Sequence, residues 1–143
     1  MNRIISLKNV SKIFLNNKKI TVLNKINFNF NKGKIYSLMG PSGSGKSTLL
    51  NILSLIDKPS KGLVKIDSED INFYNSALND KIRAKKIGII YQQNNLLPDF
   101  TALENVYIAC LTLNDDKKKA KKKAIQVINK MGLESRLNHY PSE

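Results

Sequence analysis

Scarcity carries the first information in this chain. Among 143 residues there is one cysteine, one histidine and no tryptophan. The single thiol, Cys110, excludes an intrachain disulfide, and its apolar neighbourhood suits a buried structural thiol better than a nucleophile. No run approaches the ~18 consecutive apolar residues of a membrane span. The polar start Met1-Asn2-Arg3 lacks the apolar core of a signal peptide, so the expected location is cytoplasmic. Acidic residues are also few, 11 against 24 basic ones, for a formal net charge of +13. That balance invites a nucleic-acid reading, but only three of the basic residues are arginine and few aromatic platforms accompany them. A sequence reader of DNA or RNA needs both in quantity, so no nucleic-acid partner is expected. What remains is a 41% hydrophobic composition, enough for one domain with a real core.

Glycine is sparse too, at seven residues, and three of the seven sit together. Residues 40–47 read Gly-Pro-Ser-Gly-Ser-Gly-Lys-Ser, a complete phosphate-binding loop of the form G-x-x-x-x-G-K-[ST]. An apolar run, Ile35-Tyr36-Ser37-Leu38-Met39, precedes it and is expected to be a buried strand. Thr48-Leu49-Leu50-Asn51-Ile52-Leu53 follows it and is expected to be a helix. A strand delivering a glycine-rich turn to a helix N-terminus aims backbone N–H groups and the positive end of the helix dipole at one spot, which suits a polyphosphate. Gly40, Gly43 and Gly45 permit the close approach, while Pro41, Ser42 and Ser44 complete the loop. Lys46 is expected to reach the β- and γ-phosphates, Ser47 to place its hydroxyl on magnesium, and Thr48 to be the next donor. The motif therefore predicts binding of a nucleoside triphosphate. A flexible Gly/Ser linker does not account for it, because core-forming runs flank it on both sides.

The first third alternates as strands do. Ile4-Ile5-Ser6-Leu7, Ile20-Thr21-Val22-Leu23 and Ile26-Asn27-Phe28-Asn29-Phe30 are separated by polar turns such as Asn16-Asn17-Lys18 and Asn31-Lys32-Gly33. A turn at 59–62 leads to a short strand at 63–67. A second apolar strand, Ile87-Gly88-Ile89-Ile90-Tyr91, leads to Gln92-Gln93-Asn94-Asn95. Thr101-Ala102-Leu103-Glu104 has capping-box spacing and starts a helix running to about Leu111. The dense lysine run at 117–123 lies on another helical pattern, with Ala120, Ala124, Val127, Ile128 and Met131 on one face. Asp115 or Asp116 can cap its start, and Gly132 can end it. The lysines read as a solvated face, with weak attraction to an anionic membrane surface left open.

Three landmarks in order carry a family resemblance. They are Leu7-Lys8-Asn9-Val10-Ser11-Lys12-Ile13-Phe14, the phosphate loop, and Ile89-Ile90-Tyr91-Gln92-Gln93-Asn94-Asn95-Leu96-Leu97-Pro98. With these the chain resembles the ATP-binding subunits of ATP-binding-cassette transporters over nearly its whole length. The resemblance implies an α/β fold: a phosphate-loop core with an N-terminal antiparallel β region in residues 1–92, and the start of a helical subdomain in 93–143, together an incomplete domain. It implies ATP and magnesium as ligands. Phe14 then stands where an aromatic ring stacks on adenine, with a core strand residue as the plain alternative. Gln92 matches the glutamine that reaches magnesium and the attacking water and that moves with the membrane partner. The stretch from Asn95 to Val106 looks most like the lipoprotein-releasing, macrolide-export and cell-division branch, the lipoprotein-releasing type above all.

The same resemblance implies a peripheral subunit at the cytoplasmic face of the inner membrane, paired with a membrane-spanning permease and with a second copy of itself. After Tyr140-Pro141-Ser142-Glu143 the family continues into a signature motif, an acidic strand motif and a switch histidine. None of these occurs in the 143 residues. Asp57 is expected a few turns along the phosphate-loop helix, Asp67 at the end of a strand in an antiparallel edge region, and His139 in a surface or packing role. The expectation is therefore a fragment of an ATPase, inactive alone. A non-catalytic nucleotide-binding relic and a soluble phosphate-loop kinase remain as alternatives.

Overall fold

The computed structural model describes residues 2–16, 18–113 and 116–143. Asn17 at the centre of one expected turn and the alternative cap Asp115 lie outside the described residues. The chain forms two compact units, Met1–Arg83 and Ala84–Glu143.

The first unit is built on β1 (Arg3–Asn16), β2 (Lys18–Asn31), β3 (Lys61–Ile66) and β4 (Glu69–Asp70), an antiparallel sheet in the order β2-β1-β3-β4. The two strands expected at 20–23 and 26–30 are a single long β2. Its bulges absorb the break in alternation: Lys12 pairs with Leu23 and Ile13 with Thr21, which leaves Val22 as the extra residue. Asp67 and Ser68, at φ 49° and 70°, form the two-residue β3–β4 turn, the left-handed pair that matches hairpin twist. Asp67 thus stands just past the end of β3, which closes at Ile66, one residue short of the strand end expected.

Helix α1 (Lys46–Leu53) packs on this sheet. Leu49, Ile52 and Leu53 recur at helical spacing and meet Leu7, Val10, Leu23 and Val64, each fully buried aliphatic side chain contributing about 2 kcal/mol. The helix is shorter than expected and Asp57 is not on it. Leu55 takes φ 57°, the Leu55 N–H donates to the Ile52 carbonyl and the Ile56 N–H to the Asn51 carbonyl, closing the helix with a left-handed cap. A leucine gives no warning of that conformation, which glycine ordinarily supplies. Asp57 instead pairs with the Lys12 ammonium at 2.6 Å, and that ammonium also donates to the Lys58 carbonyl. Helix α2 (Ser76–Lys86), which the sequence reading missed, begins after Asn75, whose side chain accepts from the Leu78 N–H.

The apolar segments 35–39 and 87–91 were expected as strands and are not. Among the described residues neither joins a ladder, and Ile35 and Ile90 are fully exposed. A strand exists only by pairing its N–H and C=O groups with a neighbour, and the hairpin-connected strands of the first unit pair with one another. Tyr36 nevertheless pins its segment, packing edge-on against Phe28 and Phe30 and accepting the Asn31 N–H at its hydroxyl.

In the second unit α3 (Ala102–Leu111) carries the expected capping box, and α4 (Lys117–Lys130) is capped by Asp116. Cys110, Ala120 and Ala124 are buried between the two helices, the alanines allowing close approach, so Cys110 is the structural thiol foreseen. Val127 and Met131 stay exposed, unlike Ile128, which narrows the expected apolar face. Gly132, at φ 69°, ends α4. The carbonyls of His139 and Leu137 accept from the Ala102 and Leu103 N–H groups, satisfying two orphan donors at the start of α3.

Candidate functional site

The phosphate loop folds in the manner its residue types require. Gly40, Gly43 and Gly45 have φ of 152°, 77° and 89°, in the range that favours glycine. Gly45 is also fixed by proximity: a Cβ there would stand 2.9 Å from Val22 Cγ1 and 3.0 Å from the Val22 carbonyl oxygen. The loop therefore enters α1 directly against the β2 bulge. Gly45 is the N-cap residue, no side chain caps the helix, and its first turn holds no acidic residue. The helix N-terminus keeps its unsatisfied N–H groups and positive dipole end for an external anion.

Lys46 curls back across the loop. Its ammonium donates to the Gly40 carbonyl at 2.8 Å and the Pro41 carbonyl at 2.6 Å, with the Ser44 hydroxyl at 3.4 Å. This closes the loop into a ring around the place where phosphate oxygens are expected. Ser47 is exposed on the first turn of α1 and Thr48 half-buried beside it. Among the described residues no group of three or more His, Cys, Asp or Glu side chains comes together. The residues present fit a magnesium–polyphosphate group. An uncapped helix N-terminus, one ammonium and one hydroxyl gathered by a glycine-rich turn are the donor set that such a group needs.

Phe14 lies on β1 opposite Ile20 and is 41% exposed, so its ring is not a core ring. Ile20 is two residues, about 7 Å of strand, from the Val22 that abuts Gly45. One hairpin thus presents an aromatic face and buttresses the phosphate loop. The Lys12 ammonium sits 5.1 Å from the Phe14 ring centroid, and its anchoring by Asp57 steadies that end of β1. Sequence reasoning missed Lys12, Asp57 and Val22 as supports, because none carries a motif of its own. Pro41 and Ser42 are exposed on the loop. Gln92 belongs to the second unit, in an exposed bend following the unladdered segment 87–91.

A glycine-rich turn opening a helix, with a lysine across it, is the arrangement of a phosphate loop. The sequence model of the ABC transporter family matches residues 23–143, and the chain belongs to that family. Its relatives include the lipoprotein-releasing system ATP-binding protein LolD of Wigglesworthia glossinidia brevipalpis, 42% identical over all of this chain and 64% of that protein. LolD of Rickettsia bellii is 43% identical over 99% of this chain and 62% of that protein. Among solved structures, the post-hydrolysis dimer of the ATP-binding cassette MJ0796 bound to ADP and Pi superposes with a TM-score of 0.84. It is 39% identical and matches 96% of this chain and 62% of its own. The fold is that of an ABC cassette, and the chain spans a little under two thirds of the length of these relatives.

Proposed function

We propose that this chain is the nucleotide-binding part of an ABC transporter ATPase subunit of the lipoprotein-releasing type. The observation that carries the reading is the closed phosphate loop, with Lys46 drawn across Gly40 and Pro41 and Gly45 seated on the β2 bulge. Likeness to LolD proteins over the whole chain supports the cargo class and a membrane permease as partner. The dimeric state of the related MJ0796 cassette supports pairing with a second copy. Residues 1–92 then form the β region and nucleotide core, 93–143 open the helical subdomain, and the subunit works at the cytoplasmic face of the inner membrane.

In this reading the Lys46 ammonium exchanges its two carbonyl acceptors for phosphate oxygens. Both sets of bonds are charge-assisted by the ammonium, and the phosphate adds an ion-pair attraction that a neutral carbonyl lacks. Backbone N–H groups at the start of α1 hold the phosphates in place, and Phe14 offers its face to the base. The Ser47 hydroxyl would hold a magnesium ion, which would supply positive charge to the phosphate oxygens. Gln92 senses the site and moves with the permease. Activation of water falls to a carboxylate in the part of the relatives that residues 1–143 do not match, so this chain alone binds ATP and turns it over far below the rate of a whole subunit.

The exposed apolar segments 35–39 and 87–91 favour one second reading, a nucleotide-binding module without turnover. Fluorescent ATP-analogue titration tests the first premise: the 143-residue chain binds, and Lys46→Ala weakens binding at least tenfold. Equal affinity in the variant would remove the phosphate loop from the reading. Rapid, Lys46-dependent hydrolysis by the 143-residue chain would instead show that water activation lies within it.

A further inference from the structure

The described lysines gather most densely on one element that the nucleotide site does not use. Helix α4 carries Lys117, Lys118, Lys119, Lys121, Lys122, Lys123 and Lys130. Its side toward α3 is the stripe Ala120, Ala124 and Ile128, all buried, while every one of the lysines is exposed. At 100° per residue, Lys118, Lys122 and Lys119 fall on the arc opposite that stripe, so these lysines lie on the side of the helix turned away from α3. Acidic compensation on the helix is limited to its cap: Asp116 sits 3.6 Å from Lys119 and also accepts the Lys118 and Lys119 N–H groups.

Beside this arc a groove of about 350 Å³ has the buried Cys110 and the half-exposed Leu113 on its floor and Lys119, Lys122 and Lys123 with Gln126 around it. Apolar carbon beneath a fork of ammonium groups matches a phospholipid at the water interface, where a phosphate or carboxylate headgroup stands over acyl chain. Compact, strongly hydrated lysines serve a diffuse anionic surface well. Base readout calls for arginine forks or stacking aromatic rings, and α4 holds neither.

We infer that α4 is a contact surface for an anionic phospholipid bilayer, which holds the subunit against the membrane beside its permease. The inference rests on the proposed membrane-associated function for its setting, but its surface is separate from the phosphate loop and is tested separately. Each lysine near an anionic surface strengthens partitioning about fivefold at low salt, and screening reduces this steeply above physiological ionic strength.

The test is co-sedimentation of the full 143-residue chain with vesicles of phosphatidylcholine alone or of phosphatidylcholine with 30% phosphatidylglycerol, the second figure being on the order of a natural anionic content. The expected result is binding to the anionic vesicles, lost at high salt, and at least tenfold weaker for the variant Lys118→Ala, Lys119→Ala, Lys122→Ala, Lys123→Ala. Alanine keeps helix propensity high, and unchanged far-UV dichroism and nucleotide affinity in that variant show that the fold persists. Lys46→Ala retains vesicle binding, so failure of the nucleotide reading and failure of this one are distinguishable. Equal partitioning onto zwitterionic vesicles, unchanged binding of the four-lysine variant, or α4-dependent binding to nucleic acid in place of vesicles would each overturn the inference.

Discussion

Replacing Gly45 by alanine tests whether the phosphate loop is held by its seat on β2 or by the chain's own turn preference. Two costs combine at this position. The residue has φ 89°, and an L side chain in the left-handed region costs about 1–2 kcal/mol. The added methyl would meet Val22 Cγ1 at 2.9 Å, the Val22 carbonyl oxygen at 3.0 Å and Leu23 Cδ2 at 3.1 Å. Relieving such overlap in a packed site costs about 1–3 kcal/mol more. Gly43 is the internal control. Its φ of 77° carries the same conformational cost, but a Cβ there meets no atom within 4 Å. Gly45→Ala is therefore expected to lose about 2–5 kcal/mol and Gly43→Ala about 1–2 kcal/mol. In urea titrations with m near 1.5 kcal/mol/M the two midpoints should differ by roughly 1 M at an unchanged slope. Nucleotide affinity should fall further in Gly45→Ala, because the loop can relieve the overlap only by lifting the α1 N-terminus off β2. Equal midpoints for the two variants would refute the argument that close approach, and not turn geometry, fixes this end of the loop.

Three further outcomes follow from contacts away from the loop. Gly62→Ala should be the more disruptive glycine substitution, since its Cβ would stand 2.4 Å from the Asn9 carbonyl oxygen and 2.6 Å from Val10 Cα. All the nearest atoms are backbone, so β1 and β3 must part, and soluble yield and thermal midpoint should both drop. Asp57→Ala takes the carboxylate from the Lys12 ammonium, whose side chain is 11% exposed, and leaves it the neutral Lys58 carbonyl and the Phe14 ring face. With Asp57 itself a third exposed, the loss should be about 2–3 kcal/mol in chemical denaturation, and it should survive high salt where a surface pair's contribution would not. Glu104 accepts from the Thr101 N–H and hydroxyl, and these bonds hold its carboxyl below the usual range, against a smaller opposing effect of desolvation. A depressed folded pKa stabilises the fold above the unfolded value of about 4.3. The stability advantage of the native chain over Glu104→Gln should thus be present at neutral pH and vanish as pH falls through the folded value, as read by helix content against temperature.

Local chemistry was legible in the sequence wherever one short segment settles its own conformation. The capping box at Thr101 and Glu104 and the glycine that ends α4 specify hydrogen bonds within a few residues, and both form as read. Elements whose existence depends on a distant partner were not legible. Segments 35–39 and 87–91 have the composition of buried parallel strands, yet composition cannot supply the ladder that makes a strand, and here they stay unpaired. The end of α1 was hidden for a different reason. Leu55 adopts a conformation that leucine resists, held there by its burial, so tertiary packing overrode the local signal. Helix α2 has a polar sequence with a weak apolar face and only Asn79 fully buried, which leaves little periodicity to read.

These successes and failures meet at the phosphate loop. The segment that enters it, 35–39, has no ladder, so the loop's geometry cannot be imposed from the strand side that the motif conventionally implies. It is imposed from the helix side. Leu49 and Ile52 bury α1 on the sheet, Gly45 seats the helix start on the Val22 bulge, and Lys46 then gathers the end of the entering segment through the Gly40 and Pro41 carbonyls. The lysine thereby has two roles that draw on the same three donors: it closes the loop on itself, and it is the positive charge available to a polyphosphate. Binding must exchange one set of acceptors for the other, so the loop's own closure competes with the ligand. On the proposed function, part of the affinity is then set by a difference between two sets of hydrogen bonds to one ammonium, a difference that the anion's charge makes favourable.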